Sequence, residues 1–317
     1  MRFLVVGCRG QDGTLLVERA QRDGHTVVGI DKGVVDGSSF SPFDVADSSQ
    51  VEAFVAQERP ERVFYLAAYH GSSEDADEPW PTLFAESMRV HVSSYVKLLE
   101  ALVHHMPGAR VFYAASSRIF GRVQTRPQNE LHPVEPRCAY GISKAAGVFT
   151  GHLYRAQRGL FVCSGILYNH ESPLRKPVFV TKKIVLGAVK ALREKQQGKP
   201  FRFRLGDLSA EVDWGYAPDY VDAMMRILEV PTADDFVIAT GEAHTVREFV
   251  EAAFEVVGLD WQDHVEEDRS LVVSGTPRVG DSTKLREATG WAPSLGFRDM
   301  VRTLVEAELV VSVSHER

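Results

Sequence analysis

The sequence predicts an α/β protein, a doubly wound parallel sheet of the Rossmann kind with a smaller C-terminal domain. Three observations predict it. Short apolar runs alternate along the chain with stretches of helical spacing, the pattern of a parallel sheet wrapped by helices. The first such run ends in Gly7-x-x-Gly10-x-x-Gly13, a turn suited to a dinucleotide. A later run ends in Ser116-Ser117 and is followed by Tyr140-x-x-x-Lys144.

Arg2-Phe3-Leu4-Val5-Val6 reads as the opening strand, and Leu15, Leu16 and Ala20 give the stretch from Thr14 to Arg22 one apolar face of a helix. Val27 to Ile30, Arg62 to Leu66 and Arg110 to Tyr113 repeat the strand signal, separated by helical stretches such as Ser49 to Gln57 and Ser93 to His104. A helix follows Tyr140, then strands from Leu160 to Leu167 and from Asp235 to Ile238. Glu171 to Asp213 is richer in Lys, Arg and Pro. The expected division is therefore 1–170 with 213–243 for the dinucleotide unit, and 171–212 with 244–317 for the second unit.

The chain has 317 residues, 44% of them hydrophobic, enough to bury a full core. A net charge of −7 spread over mixed charges argues for solubility and against a nucleic-acid groove. Cys8, Cys138 and Cys163 are too few and too scattered for a disulfide frame or a zinc site, so no metal is expected and the thiols fit a reducing cytoplasm. Met1 runs straight into a strand, and no apolar run of about 20 residues occurs, which argues against secretion and membrane insertion.

A glycine turn between strand and helix lets backbone amides approach a pyrophosphate that side chains would exclude, with Gln11 and Asp12 in the same loop. Asp31 closes the second strand, where a carboxylate accepts from a ribose 2′-hydroxyl and repels a 2′-phosphate. NAD is thus expected over NADP, with Lys32 beside it. A tyrosine whose proton affinity is lowered can act as a base, and a lysine one helical turn on supplies a positive field and binds the nicotinamide ribose. Tyr140 and Lys144 have that spacing.

Further motifs complete a specific set: Asn169-His170-Glu171-Ser172-Pro173-Leu174-Arg175-Lys176, Phe179-Val180-Thr181-Lys182-Lys183-Ile184, Asp213-Trp214-Gly215 and Val237-Ile238-Ala239-Thr240-Gly241-Glu242. Together they resemble the GDP-mannose 4,6-dehydratase family of extended short-chain dehydrogenases/reductases, over nearly the whole chain. The resemblance implies a nucleotide-sugar substrate, most simply GDP-linked. It implies that Ser116 shares the substrate proton with Tyr140. It implies cofactor contacts from Asp44, Val45, Leu66, Ala67, Ala68, Tyr69, Leu167, His170 and Arg175. At the substrate end it implies His70, Ser117, Arg118, Asn169, Val180 and Lys183, with Arg269 or Arg278 standing in for a family arginine that is Val212 here. Asp44-Val45-Ala46-Asp47 stands where the resemblance implies a grip on the adenine, with a helix cap as the alternative for Asp47, and a structural turn is the alternative for Ser117.

Two departures redirect the expectation. The link after Asp31 is shorter than the loop that helps the family build tetramers, so a homodimer is expected. Arg118 stands where the family keeps its catalytic glutamate, and arginine stays protonated at any working pH. The leading expectation is therefore an NAD-dependent epimerase acting through a 4-keto intermediate. The alternatives are a 4,6-dehydratase with a different acid/base and a non-catalytic sugar-nucleotide-binding protein.

Overall fold

In the computed structural model, which describes residues 1–45, 47–69, 79–268, 270–271 and 277–314, the chain opens β1 (Arg2–Val6), α1 (Gln11–Arg22), β2 (Thr26–Asp31), β3 (Val34–Asp36), α2 (Ser48–Glu58) and β4 (Arg62–Tyr65). It continues α3 (Trp80–Met88), a five-residue π-helical turn (Arg89–Ser93), α4 (Ser94–His105), β5 (Arg110–Ala114), a 3-10 turn (Ser117–Phe120), α5 (Ala139–Arg158), β6 (Phe161–Leu167) and β7 (Asn169–Glu171). The rest is α6 (Val180–Gln196), β8 (Phe203–Leu205), β9 (Glu211–Val212), β10 (Trp214–Tyr216), α7 (Ala217–Ile227), β11 (Asp235–Ile238), β12 (His244–Thr245), α8 (Val246–Val257), β13 (Val265–Glu267), α9 (Thr283–Thr289) and α10 (Phe297–Ser314).

Seven strands form one sheet in the order β11-β6-β5-β4-β1-β2-β3, parallel except for β3. The order reverses at β1, which lies between β2 and β4, so the loops after β1 and β4 open a crevice at their carboxyl ends. The continuous apolar runs of the strands follow from burial on both faces. Leu4, Val6, Val63, Tyr65, Val111 and Tyr113 face one core, and Phe3, Val5, Phe64 and Phe112 face the other. A third core gathers Ile184, Val185, Trp214, Phe249, Phe254 and Val301 beneath α6, α8 and α10.

The strands and helices expected along the sheet are present, with ends moved by one to three residues. Two differences matter. The link after Asp31 holds an edge strand, β3, that pairs antiparallel with β2 and sets Asp36 opposite Gly29. The expected helix from Ser93 instead begins at Ser94, after the π turn. There the carbonyls of Arg89, Val90 and His91 accept the hydroxyls of Ser94, Tyr65 and Tyr113.

Candidate active site

The glycine turn is built for close approach. Gly7 has φ +91°, and a Cβ there would sit 2.8 Å from the Ala67 nitrogen. A Cβ on Gly13 would run into the Gly7 carbonyl oxygen and Cys8. The turn therefore lies flat against the end of β4, and α1 begins at Gln11 with Gly10 as N-cap and no side-chain cap. Free amides and the helix dipole point into the crevice, as a pyrophosphate requires. Asp31 ends β2, and its carboxylate accepts the Arg9 amide at 3.0 Å, while the Arg9 guanidinium is paired with Asp36 at 3.2 Å. The residues present thus fit a dinucleotide.

A cavity of 1640 Å³ runs from this turn to α6. It is lined by Gly7, Gly10, Gln11, Asp12, Gly13, Asp31, Lys32, Asp44, Val45, Leu66, Ala67, Ala68 and Tyr69 at one end. Ser116, Ser117, Arg118, Tyr140, Lys144, Leu167, Asn169, His170, Arg175, Val180, Lys183 and Arg278 line the remainder. His70 and Arg269 lie outside the described residues. Asp47, next to Asp44 and Val45, caps α2 by accepting the Ser49 and Gln50 amides. Ser117 is buried at the start of its 3-10 turn.

The chemical groups converge where β5 ends and α5 begins. Cys138 caps α5 through its sulfur, Tyr140 follows in the first turn, and Lys144 lies one turn deeper. Lys144 is fully buried, and its Nζ donates to the Ala114 carbonyl at 2.8 Å and stands 5.8 Å from the centre of the Tyr140 ring. Ser116 lines the same stretch of the cavity as Tyr140. The sequence led us to expect a lowered phenol; instead burial pushes it up to about 12. Two neighbours oppose this, the Arg118 charge first and the Ser116 hydroxyl next. Burial also draws Lys144 down to about 7, against the attraction of Asp12. Both groups are pulled toward their neutral forms because neither is solvated.

Arg118 is exposed at the cavity wall, its amide donating to the Ser116 hydroxyl at 3.3 Å. Arg278 donates to the Gly121 carbonyl at 3.5 Å, and burial and then Arg118 lower its proton affinity. Among the described residues neither guanidinium pairs with a carboxylate. Arg175 differs: it pairs with buried Glu171 at 3.2 Å and covers the Phe179 ring at 3.6 Å. The His170 ring meets both oxygens of Asp12, at 3.0 and 3.1 Å. Burial alone would raise Asp12, but the His170 charge holds it below its ordinary value; burial alone would lower His170, but Asp12 raises it. Gln11 reinforces the joint, donating to the His170 carbonyl and accepting from Ser172. The glycine turn is thereby tied to β7, which pairs with β10. Sequence reasoning missed His91 and Ser143, which bond each other beneath Tyr140 at 2.7 Å, and no local motif marks either one.

A reversed-order parallel sheet, a flat glycine turn and a Ser-Tyr-Lys set in one cavity define an extended short-chain dehydrogenase/reductase of the nucleotide-sugar kind. The sequence profile of the GDP-mannose 4,6 dehydratase family matches residues 4–304. GDP-mannose 4,6 dehydratases 1 and 2 of Arabidopsis thaliana are 34% and 35% identical, each over 96% of this chain and over 89% and 86% of their own lengths. Among solved structures, the Thermus thermophilus UDP-glucose 4-epimerase complex with NAD is 26% identical with a TM-score of 0.79, covering 97% of this chain and 98% of that one. The chain belongs to the GDP-mannose 4,6-dehydratase family.

Proposed function

We propose that the chain is an NAD-dependent enzyme that oxidises C4 of a GDP-hexose and carries it on, by loss of water across C5 and C6, to the 4-keto-6-deoxy sugar, with an acid/base other than the glutamate that Arg118 replaces. The observation that carries this reading is the family match along almost the whole chain, with Ser116, Tyr140 and Lys144 facing one cavity. NAD, when bound, would accept the hydride from C4 and, once water has left across C5 and C6, return it to C6. Tyr140 takes the C4 hydroxyl proton, Ser116 holds that hydroxyl in line, and the Lys144 ammonium stabilises the phenolate. Asn169, Val180 and Lys183 hold the nucleotide diphosphate. Asp31 favours NAD over NADP, because a 2′-phosphate would meet its carboxylate.

The relatives move the weight from the epimerase expected from the sequence to the dehydratase. One observation favours the epimerase as the second reading: Arg118 offers no carboxylate for the C5 proton. C4 oxidation and return of the hydride need only Ser116, Tyr140 and Lys144. A purely binding protein has no need of that proton couple. Mass spectrometry of the product from GDP-mannose and NAD tests both readings. Loss of one water supports the dehydratase, an isobaric product the epimerase, and no turnover of any GDP-hexose overturns both.

The division of the chain into a dinucleotide unit (1–170, 213–243) and a substrate unit (171–212, 244–317) remains part of the proposal. The packing of Leu285 and Trp291 into the sheet's core argues for moving α9 to the first unit. The free thiols of Cys8, Cys138 and Cys163 fit a cytoplasmic setting, and no described helix is long and apolar enough to cross a membrane.

A further inference from the structure

We propose that His91 is the positioning residue that sets the Tyr140 ring relative to the cofactor side of the cavity, by bonding the chain at Tyr69 on one side and the first turn of α5 on the other. This rests on Tyr140 being the base. His91 is fully buried at the centre of the π turn. Such turns are rare and recur at functional sites, because the extra residue re-aims side chains out of α register. Here the widened turn is secured by the three hydroxyls on its carbonyls, so the His91 ring sits on a fixed base.

The ring's two nitrogens face two different parts of the site. Nε2 accepts the Tyr69 amide at 2.9 Å, in the segment that follows β4. An amide N–H can only donate, so Nε2 carries the lone pair and Nδ1 carries the proton. Nδ1–H therefore donates to the Ser143 hydroxyl at 2.7 Å, and that hydroxyl donates to the Tyr140 carbonyl at 3.0 Å. The edge of the His91 ring also meets the Tyr140 ring, with centroids 5.2 Å apart and planes at 90°. Every link in the chain Tyr69, His91, Ser143, Tyr140 has a defined donor, and only the neutral Nδ1–H ring satisfies all of them. A proton on Nε2 would set two N–H groups against each other. The catalytic ring is thereby indexed to the strand end that lines the cofactor side, and a misplacement of about 1 Å there lowers rates by about a hundredfold.

Three variants separate positioning from packing. His91→Phe keeps a ring against Tyr140 and removes both hydrogen bonds, Ser143→Ala cuts only the link to α5, and His91→Gln restores an acceptor and a donor. With GDP-mannose and NAD, His91→Phe should lower kcat about tenfold or more while KM stays within about threefold. Ser143→Ala should fall between it and the parent, and His91→Gln should recover most of the loss. In the NAD complex, phenolate absorbance read against Tyr140→Phe should show the ionisation midpoint raised by about half a pH unit in His91→Phe and Ser143→Ala. A lower melting temperature with kcat and midpoint unchanged would overturn the proposal and leave His91 a packing residue. Absence of turnover in the parent enzyme would defeat the GDP-hexose reading alone, since the ionisation measurement still reports on His91. Should His91→Phe not fold, Ser143→Ala carries both measurements.

Discussion

At the scale of single residues, the site withholds water from Tyr140 and Lys144, which favours the neutral form of each. Tyr140 is the sharpest case. Removing its hydroxyl and keeping its ring should reduce kcat by about 10²–10⁴ while nucleotide-sugar affinity, read by calorimetry, is largely retained. A near-normal rate for Tyr140→Phe would remove Tyr140 from the chemistry. Lys144 carries a linked stability consequence. Its folded value of about 7 lies below its ordinary 10.5, so the unfolded chain holds the proton more tightly. The penalty for burying the ammonium is complete below about pH 7 and relieved as pH climbs toward 10.5. Lys144→Met should therefore abolish turnover yet raise stability to urea by about 1–2 kcal/mol near pH 6, a gain that shrinks toward pH 10. A destabilised variant would show that the Ala114 hydrogen bond outweighs the desolvation of the charge. Both residues were legible in the sequence because their spacing is local, one helical turn. The direction of the phenol's shift was not, because it depends on how deeply that turn is buried.

At the scale of elements, the first β-loop-α unit was legible nearly whole, since Gly7 and Gly13 have steric requirements that only glycine meets. Gly13→Ala should weaken NAD binding by more than tenfold and lower stability by about 1–3 kcal/mol, because the new methyl group must push the Gly7 carbonyl aside. Unchanged cofactor affinity on titration would mean that the turn does not cradle the dinucleotide. β3 was not legible: Val34-Val35-Asp36 is too short to show alternation, and it exists because β2 offers it an edge. That strand carries Asp36, which holds the Arg9 guanidinium beside Asp31. The π turn was equally hidden, since the hydroxyls that stabilise it come from β4, β5 and α4. His91 shares this cause: its partners lie 22 and 52 positions away, and no periodicity joins them.

At the scale of the whole molecule, α3 and α5 pack together and leave Trp80, Phe84, Phe149 and Leu153 exposed, at 80%, 42%, 55% and 50%. Large apolar side chains left exposed on two packed helices suit a protein contact, and we propose a homodimer through this face. Light scattering should give twice the chain mass, and Leu153→Glu with Phe149→Glu should halve it; a parent monomer would defeat the expectation. The sugar's fate belongs to this scale as well, because the family match spans the chain while Arg118 is one residue. The fold and cofactor end were legible from motifs, whereas the outcome at C5 and C6 was not, since it depends on what the sugar meets when bound. The most direct measurement is the mass of the product formed from GDP-mannose and NAD by the unmodified protein. The account predicts a product lighter by one water, the 4-keto-6-deoxy sugar, and a product of unchanged mass would contradict it and give the site to an epimerase.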